Sequence, residues 1–219
     1  VLFRSVIPGM KLSKAQVWSF VHRERARLAD DLATLPDEAW TTPSLCPGWD
    51  VHDVLAHLVD TAKTSRIGFV RRMLFARFDF DGDNAFGVRR ERRADPRDTV
   101  EALRAVVPLT LTPLAPRPTR LVEAIVHGED IRRPLGMTAS YDCAAVTAAL
   151  TYQVKTTVAM GGGRERVEGV RLAATDCEFA TGSGDEVRAR AIDLLLAVSG
   201  RGVGAQAFDG PGTSRLTEV

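Results

Sequence analysis

At 219 residues with a formal net charge of +1, the chain can bury a real core as one large domain or two small ones. It carries no field that argues for nucleic acid or an anionic membrane as partner. No apolar run approaches the roughly 18 to 20 residues needed to cross a bilayer, and the opening VLFRSVIPGM lacks the long apolar stretch of a signal peptide. Three cysteines, Cys46, Cys143 and Cys177, lie far apart without C-x-x-C spacing, so neither a disulfide framework nor a cysteine-type zinc site is expected, and a cytoplasmic setting is. Only four of the 29 basic residues are lysine, a bias that GC-rich codons produce. Residues before Met10 fit no element and read as extraneous.

In chain order, Ser13 caps a helix running to about Leu35, with Val17, Phe20, Val21, Leu28 and Leu32 as its apolar stripe. His22 lies in this helix as a solvated or partly packed residue. The basic run Arg23, Arg25, Arg27 is interrupted by Glu24, Asp30 and Asp31, which speaks against a DNA-reading helix. LPDEAWTTPSLCPGW is a structured loop. Asp50 then caps a long helix to about Phe78, with Asp53 completing a capping box in place of the preferred Glu or Gln. Its stripe is Val51, Val54, Leu55, Leu58, Val59 and Ala62, and His57 falls at the edge of that stripe, as a groove-lining ligand or an ordinary boundary histidine would. His52, about 140° round the helix from His57, is expected at the surface.

DFDGDNAFG has the alternating carboxylates of a calcium loop but Arg90 at the twelfth position, so a flexible acidic loop is expected. Asp95 and Pro96 open a helix to about Val107. Thr119 is expected to cap the next helix, which ends near Arg133 and carries Glu123 and His127. Glu-x-x-x-His places a carboxylate and an imidazole one turn apart on one face, and His57 from a neighbouring helix would complete a set of two nitrogens and one oxygen. Three protein ligands with one open position describe a catalytic zinc-type site better than a structural one. Asp130, on nearly the same face, either orients the His127 imidazole or pairs with Arg132 or Arg133. Cys46 is expected as a packed thiol, although its loop precedes the His57 helix.

A helix from Asp142 leads to Gly161-Gly-Gly, the candidate linker. Beyond it VRLAATDCEFATG and EVRARA alternate like strands, AIDLLLAVSG reads as a helix and AQAFDG as a further strand. The expected division is residues 10–160 as a helical part and 164–219 as a small α/β part.

Two motifs, T-x-x-L-C-P-G-W-D-V-H-D-V-L-A-H-L (Thr42 to Leu58) and E-A-I-V-H-G-E-D-I-R-R-P-L-G (Glu123 to Gly136), closely resemble those of the mycothiol-dependent maleylpyruvate isomerase family, within the DinB/YfiT-like metalloenzyme superfamily. The ending I-D-L-L-L-A-V-S-G-R-G, then A-F-D-G, is similar to that family's C-terminal domain, so the likeness covers nearly all of residues 12 to 219. The resemblance implies an α+β fold: a DinB-like antiparallel four-helix bundle followed by a small, sterol-carrier-like α/β domain whose last helix is short here. It implies a divalent metal, zinc by preference, on His57, Glu123 and His127, and a basic residue, Arg201, near the substrate. Nickel, iron or manganese would suit the same ligands. It further implies mycothiol, or a similar low-molecular-weight thiol, as cofactor or cosubstrate, acting on an unsaturated keto acid or another small electrophile by isomerisation or S-transfer. A metal-dependent hydrolase and a non-catalytic metal- or ligand-binding protein are the competing expectations.

Overall fold

The computed structural model describes residues 12–77 and 79–217; the reading of the segment before Met10, and Phe78 as a helix end, lie outside them. The fold is α+β, with nine α-helices and one three-stranded sheet among the described residues. The described residues separate into two compact units, one within residues 17–139 and one of residues 12–16 and 140–217.

The helical unit is built on α1 (Lys14–Leu32), α2 (Val51–Lys63), α5 (Pro96–Val106) and α6 (Pro118–Arg132). Ser13 and Gln16 exchange side-chain and backbone hydrogen bonds at the start of α1, which is the expected cap. Leu28, Ala29 and Leu32 of α1 meet the whole α2 stripe, Val100, Leu103 and Val106 of α5, and Ile131 of α6 in one core, closed at one side by Leu35 and Trp40. Each Leu fully buried there contributes about 1.5–3 kcal/mol, so α2, with apolar residues on nearly every turn, is the spine of the unit.

At the start of α2 the Asp50 carboxylate accepts from the Asp53 amide at 2.7 Å while Asp53 accepts from the Asp50 amide at 3.3 Å. Arg92 then clamps both carboxylates, at 2.7 and 2.6 Å. A charged pair of caps therefore carries its own counterion.

The long helix expected to reach Phe78 is interrupted. α2 ends at Lys63, and α3 (Arg66–Phe75) begins after Ser65, whose hydroxyl accepts from the Gly68 amide and so caps a new helix. The expected acidic loop is also a helix, α4 (Phe80–Glu91). Asp79 caps it through the Gly82 amide, and Asp81 and Asp83 in its first turn face the positive helix terminus, so the carboxylates that resemble a metal loop serve as helix-start residues. Arg72 of α3 ties the three helices together, donating to buried Asp60 of α2 at 2.7 Å and to Asp83 of α4 at 2.8 Å; Arg90 also pairs with Asp60. Gly87 is what lets α4 approach, since a Cβ there would lie 2.4 Å from the Asp60 carboxylate.

Thr119 does not cap α6. The helix starts with Pro118 at its first turn, its N-cap residue Arg117 makes no side-chain capping bond, and the Thr119 hydroxyl donates back to the Pro116 carbonyl.

The second unit contains α7 (Cys143–Gln153), β1 (Val170–Ala174), β2 (Ala180–Gly182), β3 (Asp185–Ala189), α8 (Ala191–Val198) and α9 (Thr213–Thr217). The sheet order is β2-β1-β3, antiparallel between β1 and β2 and parallel between β1 and β3. Every residue of α8 is buried, packed on β1 and α7. AQAFDG forms no strand but a 3-10 turn, Ala205–Ala207, and a single bridge from Arg188 to Asp209. Gly163 packs its backbone on α8: a Cβ there would meet the Val198 carbonyl at 2.0 Å.

The cysteine expectation is corrected here. Cys143 and Cys177 form a disulfide across 34 residues, because the β1–β2 connection brings Cys177 to the first residue of α7. Linear spacing carries no trace of that approach.

Candidate functional site

α6 carries a polar stripe where a packed helix would normally show apolar residues. Arg120, Glu123, His127 and Asp130 recur at three- and four-residue intervals and so share one face. α2 presents His57 and Thr61 to it, and α1 presents Arg25. All seven belong to the helical unit.

His57 is buried, with 7 % exposure, and its ring meets that of His127 edge-on with centroids 4.9 Å apart. Trp49 covers its other side at 5.0 Å. Its Nδ1 is buried and has no hydrogen-bond partner among the described residues. Burial, and then the neighbouring His127, push the His57 pKa down to about 3, so the imidazole is neutral around neutral pH, the form a metal ligand requires. The edge of the α2 stripe, where His57 falls, is closed by Trp49 and His127, which come from outside its own helix.

For His127, burial works to lower the pKa, but the hydrogen bonds from Asp130 and Cys46 outweigh it and push the value up to about 9. The Asp130 carboxylate, completely buried, takes His127 Nδ1 at 2.8 Å. The orienting role for Asp130 is thus the one the geometry supports, while Arg132 pairs with Asp31 and Arg133 with Glu129. With Nδ1 so engaged, Nε2 is the nitrogen left to a ligand.

Glu123 pairs with Arg120, one turn earlier on the same helix. Burial alone would raise its pKa; the positive charge of Arg120, the nearby His57 and the Thr61 hydroxyl prevail and hold the carboxyl below its ordinary value. Arg25 is fixed by the Leu109 and Val106 carbonyls at 3.0 and 3.3 Å. Between Arg25, Thr61, Arg120 and Glu123 lies a cavity of about 10 Å³, the size of one water. Arg120 Nη1 is buried without a partner.

The expected ligand set fits a divalent cation in kind: a neutral buried imidazole with an orphaned nitrogen, an oriented second imidazole and an ionised carboxylate. Yet among the described residues the three donor groups that converge within 4.8 Å of one another are Cys46, His127 and Asp130, not His57, Glu123 and His127. The Arg120 ion pair accounts for part of that difference, since it holds the carboxylate that a cation would take.

Sequence reasoning did not find Arg25, Arg120, Thr61 or Trp49. A signal for Arg120 was present, in a charged residue three positions before Glu123 on a buried face. Cys46, expected as a packed thiol, donates to Asp130 at 3.0 Å and lies 3.7 Å from His127 Nδ1. His52 is not at the surface: it is 3 % exposed, bonded to Thr99 at 2.8 Å and stacked edge-on against Trp40. His22 is half-buried against Trp18. Arg201 follows α8 in the other unit, where its guanidinium donates to the Ser199 carbonyl at 2.9 Å.

Fold and site together define an α+β protein whose helical bundle carries a histidine and carboxylate cluster between α2 and α6. The family model described as the mycothiol maleylpyruvate isomerase N-terminal domain matches residues 21–132 of the 219. The chain belongs to that family. Two solved structures share the fold, both titled as mycothiol-dependent maleylpyruvate isomerase. One, a substituted variant, is 12 % identical with a TM-score of 0.58. The other is 13 % identical with a TM-score of 0.55. Each comparison covers 92 % of this chain and 94 % of the other. Comparison with curated protein sequences gives no match. No helix among the described residues is long and apolar enough to cross a membrane.

Proposed function

We propose that the chain is a metal-dependent enzyme that uses mycothiol, or a similar low-molecular-weight thiol, to isomerise an unsaturated keto acid such as maleylpyruvate or to transfer sulfur to a related electrophile. His57, Glu123 and His127 hold the metal, zinc by preference. The observation that carries this reading is the buried, unpartnered Nδ1 of His57 beside the His127 ring, one helical turn from an ionised Glu123. A buried polar atom without a partner costs about 1–3 kcal/mol, and a ligand that takes it up removes that cost.

The cation, when bound, supplies Lewis acidity and lowers the proton affinity of a thiol. The protein's own groups do the rest. His57 offers a neutral nitrogen without first losing a proton. Asp130 holds His127 Nδ1 and so fixes the direction of the ring. Glu123 contributes one negative charge, which offsets part of the cation's and leaves a nearby thiolate more nucleophilic. Trp49 walls the His57 side against water. Buried Arg25 and Arg120 keep the surroundings positive, which favours an anionic substrate. Arg201 is assigned to the substrate carboxylate or the enolate formed from it. In the isomerase reaction the keto acid accepts a thiolate at its conjugated double bond, the resulting single bond rotates, and loss of the same thiolate gives the trans isomer. Thiol is regenerated and atoms balance.

A cytoplasmic setting supplies the reduced thiol; the Cys143–Cys177 disulfide runs against a strongly reducing one. Metal analysis and mycothiol binding on the wild type beside His57→Ala, Glu123→Ala and His127→Ala test the assignment. Each variant is expected to lose the ion held by these three residues, with thiol binding lost alongside it. Full retention in all three overturns it.

A further inference from the structure

We propose that Cys46, His127 and Asp130 form a second cation site, which takes one thiophilic divalent ion through Sγ, Nδ1 and Oδ2 and does not require His57 or Glu123. The three donors lie within 4.8 Å of one another, with Cys46 Sγ 3.0 Å from Asp130 Oδ2 and 3.7 Å from His127 Nδ1, and Nδ1 2.8 Å from the same carboxylate oxygen. Ligand atoms round a tetrahedral zinc-sized ion at about 2.0–2.3 Å need separations of this order, opened by a few tenths of an ångström on the carboxylate side.

The set is built rather than accidental. The Cys46 amide donates to Ser44 Oγ at 3.0 Å, Ser44 Oγ donates to the Trp49 carbonyl at 2.8 Å, and the Trp49 amide donates to the Cys46 carbonyl at 3.1 Å, so the loop closes on itself. The Leu45 amide then donates to the Asp130 carbonyl at 3.2 Å, which fastens the residue before the thiol to the residue that carries the carboxylate. A ligand loop pinned to its partner helix loses little further freedom on binding an ion. Asp130 is completely buried while Cys46 and His127 are partly exposed, so the set has a buried anchor and an opening to solvent.

The donor chemistry selects the ion. One sulfur, one imidazole nitrogen and one carboxylate oxygen suit zinc, cobalt or cadmium and not magnesium or calcium, which take oxygen. A thiolate and a carboxylate together neutralise a dication. On binding, the Cys46 thiol proton and the His127 Nδ1 proton both leave to solvent as the sulfur–metal and nitrogen–metal bonds form, with no change of oxidation state. The competing arrangement is a hydrogen-bonded chain in which the thiol serves only to satisfy Asp130. The two differ in whether sulfur ever touches an ion.

The test uses cobalt(II) added to chelator-stripped full-length protein, with the thiolate-to-cobalt charge-transfer absorption as readout. Wild type and His57→Ala are expected to develop the band, His57→Ala with one ion per chain, and Cys46→Ser to lose it. Because the other two cysteines are joined as a disulfide, iodoacetamide reads Cys46 alone. Zinc is expected to stop its alkylation in wild type and in His57→Ala alike, a result that stands even should Cys46→Ser not fold. A wild type with neither band nor protection overturns the site. So does a band that disappears in His57→Ala, which would make Cys46 a ligand of the first metal only. Loss of cation binding at His57 and Glu123 with the Cys46 band intact would separate failure of the functional reading from failure of this one.

Discussion

Asp130→Asn is expected to remove a pH dependence of folding that the structure assigns to one imidazole. In the metal-free protein burial works against the charge, but the Asp130 carboxylate, and after it Cys46, hold His127 protonated up to about pH 9, against 6.5 for an unperturbed histidine. Between those values the folded chain retains a proton that the unfolded chain has released, so stability falls as pH rises. The contribution is fully present below pH 6.5 and lost by about pH 9. At about 1.4 kcal/mol per pKa unit it amounts to about 3 kcal/mol, and the ring's 18 % side-chain exposure leaves that figure largely undiminished by solvent. His57 acts in a separate window: its lowered pKa withdraws stability only as pH falls from 6.5 towards about 3. Asparagine keeps a carbonyl oxygen for the Nδ1 proton but not the charge, and burial then dominates. Denaturant unfolding of chelator-treated protein at pH 6.5 and pH 9 reads the effect. Wild type should lose about 3 kcal/mol across the window and Asp130→Asn little of it. An equal loss in both proteins would refute the assignment.

Three further outcomes follow from packing. Thr99→Val leaves His52 Nε2 buried without its 2.8 Å partner and should cost about 1–3 kcal/mol, read as a lowered midpoint of thermal unfolding. Gly87→Ala drives a methyl group against the buried Asp60 carboxylate and should cost about 1–3 kcal/mol in the same assay, while Gly136→Ala, with open space around it but a φ of +68°, should show only backbone strain. Reduction of Cys143–Cys177 releases a loop of 34 residues and should destabilise the unit of residues 140–219 by about 4 kcal/mol, measured by denaturation with and without dithiothreitol.

What could be read from the residues was what depends on local chemistry. Asp50 with Asp53, Asp95 with Pro96, and Asp142 each start the helix they predict, because a cap is decided within four residues. The alternation of VRLAATDCEFATG and EVRARA likewise announces the segments that hold β1 and most of β3. His57, Glu123 and His127 were singled out by spacing, and the fold packs the two rings together. What escaped was decided by partners distant in sequence. His52 is buried by Trp40 and Thr99, residues on other elements. Asp79, Asp81 and Asp83 resemble a metal loop until Gly82 and Gly87 show α4 turning against α2. Arg120 withdraws Glu123 into an ion pair that spacing alone permits but does not demand. The approach of Cys46 to Asp130 is hidden in the sequence because it is set by a loop whose closure depends on Ser44 and Leu45.

Conversion of maleylpyruvate by the metal-loaded protein, followed with and without mycothiol and repeated for His57→Ala, bears on the proposed activity itself. The cis substrate should be turned into its trans isomer only when both metal and thiol are present, and His57→Ala should be inactive. Hydrolytic cleavage of the substrate without thiol would place the chain among metal-dependent hydrolases instead, and undiminished isomerisation by His57→Ala would contradict the assignment of the site.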